Sequence, residues 1–389
     1  MIKTLEEISL TKGEYGGGFS AIDYSEDKPR YIRITDITEG GILKEDAKSP
    51  SGNAEDWEKY KLSEGDILFA RSGATVGKTF LYHKSYGDCV YAGYLIRFKP
   101  NPEIAFPKYI YYFTKTPKYN SWVLNKQNVV AQPNINAKQY GQELKIPLPP
   151  LETQKKIASI LDAADGYRQK TKALIAKYDE LTQSLFLEMF GDPVTNPKGW
   201  EKVKVKSFAK IVRGSSPRPK GDPRYYGEGV PRLMVADLTR DGFYVTPQID
   251  SLTVEGAKKS RPMSKGELVM AVSGRPGLPA ILEVDCCIHD GFAGFKEIKD
   301  EYNLFYLCNY FFYYISQINK RSVGAIFKNI TTDDIRNIQV PIVPIDLQDQ
   351  FAERIQEIEK QKAQAQESFE KAEELFNSLL DRAFKNKLT

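Results

Sequence analysis

Residues 147–190 read PLPPLETQKKIASILDAADGYRQKTKALIAKYDELTQSLFLEMF, and residues 341–384 read PIVPIDLQDQFAERIQEIEKQKAQAQESFEKAEELFNSLLDRAF. At an offset of 194 residues the two align without a gap. Pro147 falls on Pro341, Pro150 on Pro344, Gln154 on Gln348 and Ala158 on Ala352. The match continues through Lys177/Lys371, Glu180/Glu374, Leu181/Leu375, Ser184/Ser378 and Leu185/Leu379 to Phe190/Phe384. No proline interrupts Leu151 to Phe190, so this stretch is expected to be one helix, roughly 58 Å long. Gly191-Asp192-Pro193 is its stop signal. Ile157, Ile160, Ala164, Tyr167, Thr171, Leu174, Tyr178, Leu181 and Leu185 recur at steps of three and four, which is a heptad seam. The second segment offers Phe351, Ile355, Ile358, Ala365, Phe369, Ala372, Leu375 and Leu379. Two such helices in one chain are expected to bury their seams against each other.

Working outward, the flanking sequence repeats more faintly. Lys3 pairs with Lys204, Gly13 with Gly214, Asp36 with Asp237, Gly65 with Gly266 and Ser72-Gly73 with Ser273-Gly274, all 201 residues apart. Gly93 and Gly291 lie 198 apart, as small loop deletions would produce. The chain therefore reads as a tandem duplication: module 1–146, helix segment 147–190, module 191–340, helix segment 341–389. Within the modules, RYIRITDI (30–37), DILFAR (66–71), TFLYH (79–83) and YLIRF (94–98) are short apolar runs between turn residues, hence strands. KYIYYFTKT (108–116) and LFYLCNYFFYYISQI (304–318) are longer aromatic stretches, expected as helices on the sheet. The fold class is α+β: two similar mixed modules and two long helices.

Composition narrows the function. The 389 residues are 41% hydrophobic and 27% charged, with a net charge of +4, which is ordinary for a globular chain. No apolar run approaches the ~20 residues of a membrane span. The opening MIKTLEEISL is acidic where a signal peptide is apolar, so a soluble cytoplasmic protein is expected. Two histidines, His83 and His289, and four cysteines without a C-x-x-C pair argue against structural zinc. Cys286-Cys287 reads as two strand residues. SGATVGKT (72–79) resembles a phosphate loop, but Ser72 stands where the first glycine belongs and a strand follows. The only Pro-Pro, Pro149-Pro150, opens a helix, so it does not mark a methyltransferase site. There is no G-x-S-x-G nucleophile elbow. No catalytic constellation emerges, and a binding surface remains.

Basic, hydroxyl and amide residues gather in the expected loops: Lys12, Arg71, Ser72, Thr75, Lys78, Asn128, Gln132 and Asn134 in the first module. The second offers Arg213, Ser215, Ser216, Arg218 and Lys220 (within RGSSPRPK), Ser273 and Arg275, then Lys320, Arg321 and Lys328. Such residues suit guanine and adenine edges and phosphates. Charge is segregated as well. Segment 151–190 holds six bases and six acids and segment 345–389 seven bases and ten acids, which leaves +7 on the modules. That is the distribution expected of modules facing phosphates.

KIPLPPLETQKKI (145–157), IQVPIVPIDLQDQFAERI (338–355), GDILFARSGATVGK (65–78), AQPNIN (131–136) and GAIFKNIT (324–331) together resemble the DNA-specificity (S) subunits of Type I restriction-modification systems. The resemblance spans essentially the whole chain. It departs at Val343, where the family pattern has proline, and at Leu347. It implies two target-recognition domains that each read half of a bipartite, asymmetric duplex site. It further implies antiparallel helices acting as a fixed spacer between them. It also implies partners: two methylation (M) subunits that methylate adenine N6 after flipping the base, and restriction (R) subunits. S-adenosylmethionine, ATP and Mg would then belong to those partners, with no cofactor on this chain. Two other readings stay open from the residues themselves: a coiled-coil scaffold with protein-binding modules, and an enzyme using SGATVGKT.

Overall fold

The computed structural model describes residues 1–127, 133–321 (without the side chains of 320 and 321) and 329–385. It divides into two units, Met1–Lys172 with Gln366–Thr389 and Ala173–Ala365. The first is built on a four-stranded antiparallel sheet in the order Glu14–Tyr15, Leu95–Phe98, Ile67–Ala70, Thr79–Leu81. Alternate residues of a strand point to opposite faces. Ile67, Phe69, Ile96 and Phe98 thus enter one core with the helices Pro107–Phe113, Pro117–Gln127 and Ala137–Glu143. Leu68, Ala70, Phe80 and Leu95 enter a second core, shared with Ile32 and Tyr91 of the parallel pair Arg30–Ile32 and Cys89–Tyr91. Covering both faces explains why ILFA is apolar throughout rather than alternating.

The second unit repeats this plan. Its five-stranded sheet runs Lys210–Arg213, Phe292–Lys296, Leu268–Ala271, Pro279–Leu282, Tyr244–Val245. Leu268 and Met270 face a core with helix Leu304–Arg321, while Val269 and Ala271 face the other core. A four-stranded sheet in the order Asp250–Leu252, Tyr226–Leu233, Cys286–Ile288, Arg261–Met263 lies beside it in the chain's wiring. Cys286 and Cys287 are both buried, and all four cysteines are free thiols.

Both modules close identically ahead of their long helix. Ile2–Thr4 pairs antiparallel with Lys145–Pro147, and Lys202–Lys204 with Gln339–Pro341. The helices that follow, Leu151–Phe190 and Ile345–Phe384, are each 40 residues without a break. Gln154 and Gln348, both fully buried, fasten each helix to its module. Gln154 Oε1 accepts from Phe106 N (2.9 Å) while Nε2 donates to Ile104 O (2.9 Å) and Pro149 O (2.8 Å). Gln348 accepts from Asn303 N (2.9 Å) and donates to Glu301 O (3.0 Å) and Val343 O (2.8 Å). Using all three of those amide positions satisfies backbone groups that burial would otherwise strand.

Within each unit the two helix segments run antiparallel. In the first, Ile157, Ala158, Leu161 and Ala164 share a core with Phe376, Leu380 and Ala383, and Arg168 lies 3.7 Å from Glu373. In the second, Phe186 and Phe190 meet Phe351 edge to face, and Lys362 meets Asp179 at 2.5 Å. The expected seam is right at Ile157, Phe351 and Ile355, which are buried, and half right at Ile160, Tyr178, Leu185, Ile358, Phe369 and Leu379, which are half-buried. It is wrong at Leu174, Leu181 and Leu375, which are 43%, 48% and 51% exposed. Tyr167 is exposed too. Ala164, Thr171, Ala365 and Ala372, also in the expected seam, are buried, and the buried track continues through Thr182 and Phe186 and through Phe376 and Leu380. Small residues and two threonines fill much of it. Thr171 and Thr182 donate to the carbonyls of Tyr167 and Tyr178 within their own helix, so burial costs them no hydrogen bond.

Candidate nucleic-acid interface

In the first unit, backbone hydrogen bonds stitch four segments into one surface. Arg71 N donates to Tyr94 O (3.0 Å), Gly93 N to Gly17 O (2.9 Å), Gly73 N to Pro133 O (3.2 Å) and Ile135 N to Arg71 O (2.8 Å). The Ser72-Gly73 turn requires φ +67° at Gly73, where a side chain would be strained. The Arg71 guanidinium lies 4.9 Å from the Tyr15 ring centre, and its Nε reaches Asn134 Oδ1 at 3.4 Å. Tyr15 is 43% exposed, and Tyr94, whose carbonyl accepts from Arg71 N, is 61% exposed. Tyr15 is itself fixed, because its hydroxyl accepts from Ala137 N at 3.0 Å. A guanidinium oriented by an amide and an aromatic ring, with the exposed Tyr94 on the adjoining segment, has the chemistry to engage base edges and stack on bases.

Of the residues expected in this interface, the structure joins Arg71, Ser72 and Asn134. Lys12 is exposed in the segment leading to Glu14–Tyr15. Lys78 instead pairs with Glu39 at 2.6 Å, with its side chain 20% exposed. Thr75 turns inward, donating to Ser72 O at 3.1 Å and closing the turn. Asn128, Gln132 and Lys328 lie outside the described residues, as do the side chains of Lys320 and Arg321.

The second unit assembles the equivalent segments. Gly214 N donates to Phe292 O (2.9 Å), Ser215 N to Ile288 O (3.0 Å), Val272 N to Gly291 O (2.8 Å) and Ile330 N to Val272 O (3.0 Å). These bonds make Gly214 the equivalent of Gly16 in the first unit, whose N–H bonds Leu95 O at 3.2 Å, rather than of Gly13. Backbone approaches closely here. A Cβ on Gly214 would sit 2.0 Å from His289 O, and one on Gly16 2.3 Å from Ala92 O. The position of Arg71 is taken by Val272. Cations come instead from the RGSSPRPK loop, where Arg213, Arg218 and Lys220 are exposed, and from Arg275. Ser215, Ser216 and Ser273 are half-buried. Arg218 faces Asp290 at 3.5 Å, and Arg275 reaches Thr239 Oγ1 at 3.5 Å.

Behind that loop stands a pair the sequence did not single out. Arg232 is bound to Asp250 at 2.6 Å and donates to Ser216 Oγ at 3.1 Å. His289 Nδ1 accepts from Gly291 N at 2.9 Å. Burial, then the positive charge of Arg232, hold His289 below the usual imidazole range, so it is neutral near pH 7. Strand register alone brings these residues together, and no spacing in the sequence signals it. Tyr15 and Tyr94 did carry a signal, as aromatics beside glycines in EYGGG and AGY.

A family model described as the Type I restriction modification DNA specificity domain matches residues 17–178 and again 197–373. A Methanocaldococcus jannaschii protein assigned as the type I restriction enzyme MjaX specificity subunit is 29% identical over 365 residues, covering 89% of this chain and 83% of its own. The type I restriction enzyme MjaVIII specificity subunit of the same organism is 24% identical, covering 82% and 79%. The Type-I restriction-modification system S subunit from M. genitalium superposes with a TM-score of 0.55 at 14% identity, over 99% of this chain and 96% of that one. A chain from a study of complex assembly and conformational transition of the type I R-M system gives 0.57 at 20% identity, over 100% and 98%. The structural likenesses establish the fold. Among the described residues, no helix is long and apolar enough to cross a membrane.

Proposed function

This chain belongs to the DNA-specificity subunits of Type I restriction-modification systems, and we propose that its two modules read the two unlike halves of one split duplex site. The observation that carries this is a surface built twice on one scaffold with different side chains. Segments 14–18, 71–73, 92–94 and 133–135 present Arg71, Tyr15, Tyr94 and Asn134. Their counterparts present Arg213, with Arg218, Lys220 and Arg275 just beyond them in the chain. Equal surfaces would suit a symmetric site, whereas unlike surfaces suit an asymmetric one. Within the expected set, Arg71, Ser72 and Asn134, and Arg213 to Lys220 with Ser273 and Arg275, are the contacts we assign to DNA. Phosphate contacts set position and base contacts set sequence.

Catalysis is assigned to partners. Two methylation subunits would bring S-adenosylmethionine to adenine N6, and restriction subunits would bring ATP and Mg. Two grooves at repeat-equivalent places support a doubled partner. One, of about 340 Å³, is lined by Tyr112, Arg168, Glu373 and Phe376, and the other, of about 800 Å³, by Asp179, Phe312, Tyr313 and Lys362. The ion pairs Arg168–Glu373 and Asp179–Lys362 occupy matching repeat positions. The test is to express the chain with its methylation subunit and map methylated adenines across a genome. One motif with two unlike halves and a fixed gap is expected. A palindrome, or no motif with an intact complex, would contradict the proposal and favour the scaffold reading.

A further inference from the structure

Beneath each reading loop the same scaffold position sends a side chain across to it. In the first unit this is Tyr31, on the strand whose Ile32 lies beside Tyr91 in parallel register. In the second it is Arg232, on the strand whose Leu233 lies beside Ile288, also in parallel register. Tyr91 and Ile288 are equivalent, because their carbonyls accept from Gly17 N (2.9 Å) and Ser215 N (3.0 Å). Tyr31 and Arg232 are therefore counterparts. Both are inside the protein, at 3% and 7% exposure, so neither offers itself to a ligand. Each spends its polar end on the loop. The single proton of Tyr31 Oη is shared between Gly17 O (2.8 Å) and Phe19 O (3.1 Å). Arg232 donates to Ser216 Oγ while Asp250 neutralises it.

Scaffolding alone does not explain the arginine. A guanidinium taken out of water is costly even when paired, and the first unit holds the same position with a phenol. Nor is Arg232 fully satisfied, for its Nε is buried without a partner, as is the neighbouring His289 Nε2. Each unmade donor subtracts from what the arginine contributes to stability. Its surroundings are otherwise pinned throughout. Arg261 Nε holds Arg213 O (3.1 Å), Ser260 Oγ holds Ser215 O (2.6 Å) and Tyr226 Oη holds Pro217 O (2.9 Å). Arg261 is exposed, so Arg232 is the buried charge among these groups, and it meets the loop through a side chain, Ser216.

We propose that Tyr31 and Arg232 are positioning residues for base reading, each setting the loop of its own module, 17–20 or 215–220, and hence the discrimination of one half-site. This rests on the reading of the chain as a two-headed DNA-specificity subunit. The difference between phenol and guanidinium then belongs to the difference in what the two heads read.

The test uses the full chain in complex with its methylation subunit, with methylated adenines mapped genome-wide for Tyr31→Phe, Arg232→Lys and Ser216→Ala. Arg232→Lys keeps a cation against Asp250 but drops the reach to Ser216, so a merely structural role would survive it. Tyr31→Phe should raise methylation at sites mismatched in one half by roughly 2- to 10-fold, the loss of one neutral hydrogen bond. Arg232→Lys and Ser216→Ala should relax the other half to a similar extent, while sites matched in both halves stay methylated. Relaxation of the same half by both positions, or of neither half, would overturn the proposal. A wild-type complex with no split motif would instead overturn the two-headed reading itself.

Discussion

Replacing Gln154 by leucine keeps the volume of the side chain and removes three hydrogen bonds at once. Phe106 N loses its acceptor, and Ile104 O and Pro149 O lose a donor, in a site with no solvent access to the glutamine. A buried amide N–H left unmade costs about 1–3 kcal/mol, and the two carbonyls add less because each retains a second lone pair. The expected loss is about 2–4 kcal/mol, confined to the first unit. Trp57 and Trp122 lie in that unit and Trp200 in the other, so urea unfolding followed by fluorescence in single-tryptophan variants separates the two. The first-unit midpoint should fall while the Trp200 midpoint holds. Gln154→Glu sharpens the argument. Its carboxylate would face two carbonyls, which raises its pKa above the ~4.3 of an unfolded glutamate. Between those values the folded chain keeps a proton the unfolded chain has released, so stability falls as pH rises. A loss below about 0.5 kcal/mol for Gln154→Leu, or a Gln154→Glu variant indifferent to pH, would refute the role given to this residue.

Arg71→Ala should weaken binding to the specific site by roughly 1–3 kcal/mol if the guanidinium reads a base, and equal losses on specific and random DNA in anisotropy titrations would reassign it to phosphate. Phe186→Ala should destabilise the second unit by about 3–5 kcal/mol in urea unfolding, while Leu181→Ser, nearly half exposed, should cost under about 1 kcal/mol. The reverse order would restore the heptad seam read from sequence. His289 sits below its ordinary pKa through burial and the charge of Arg232, with Asp250 and Asp290 opposing and Lys220 adding to the arginine. The unfolded chain therefore takes up that proton first, and second-unit stability should be complete above about pH 6.5 and fall below it. His289→Gln should flatten the difference in urea midpoint between about pH 7.5 and 5.5, and an unchanged difference would assign the effect elsewhere.

The duplication was legible because a long gapless repeat survives where two helices do the same job. Gln154 and Gln348 stood out in that alignment as an identity, although the alignment could not say that each binds three backbone groups. The seam holds as far as Thr171 and Ala372 and slips by one residue beyond them, for a definite reason. Leu174/Ile175, Leu181/Thr182 and Leu185/Phe186 offer apolar side chains on adjacent tracks, and large leucines outweigh threonine and alanine in any hydrophobic pattern. The packed track takes Thr182 over Leu181 but Phe186 over Leu185, so position around the helix rather than side-chain size decides. At the interface, Arg71, Ser72 and Asn134 were readable as loop residues of the right chemistry. That Arg71 meets Asn134, 63 positions away, follows only from strand order. The same holds for Tyr31 and Arg232, whose strands pair in parallel with distant partners and so leave no local pattern. Gly13 was matched with Gly214 because the 201-residue offset was carried through a loop of changed length.

The most direct measurement of the central claim is a module exchange. Residues 191–340 are replaced by the corresponding part of a relative with a different second module, and the methylated motif is mapped in complex with the methylation subunit. One half of the motif should change and the other should stay as in the parent chain. A change in both halves, or in neither, would contradict two independent reading heads on one polypeptide.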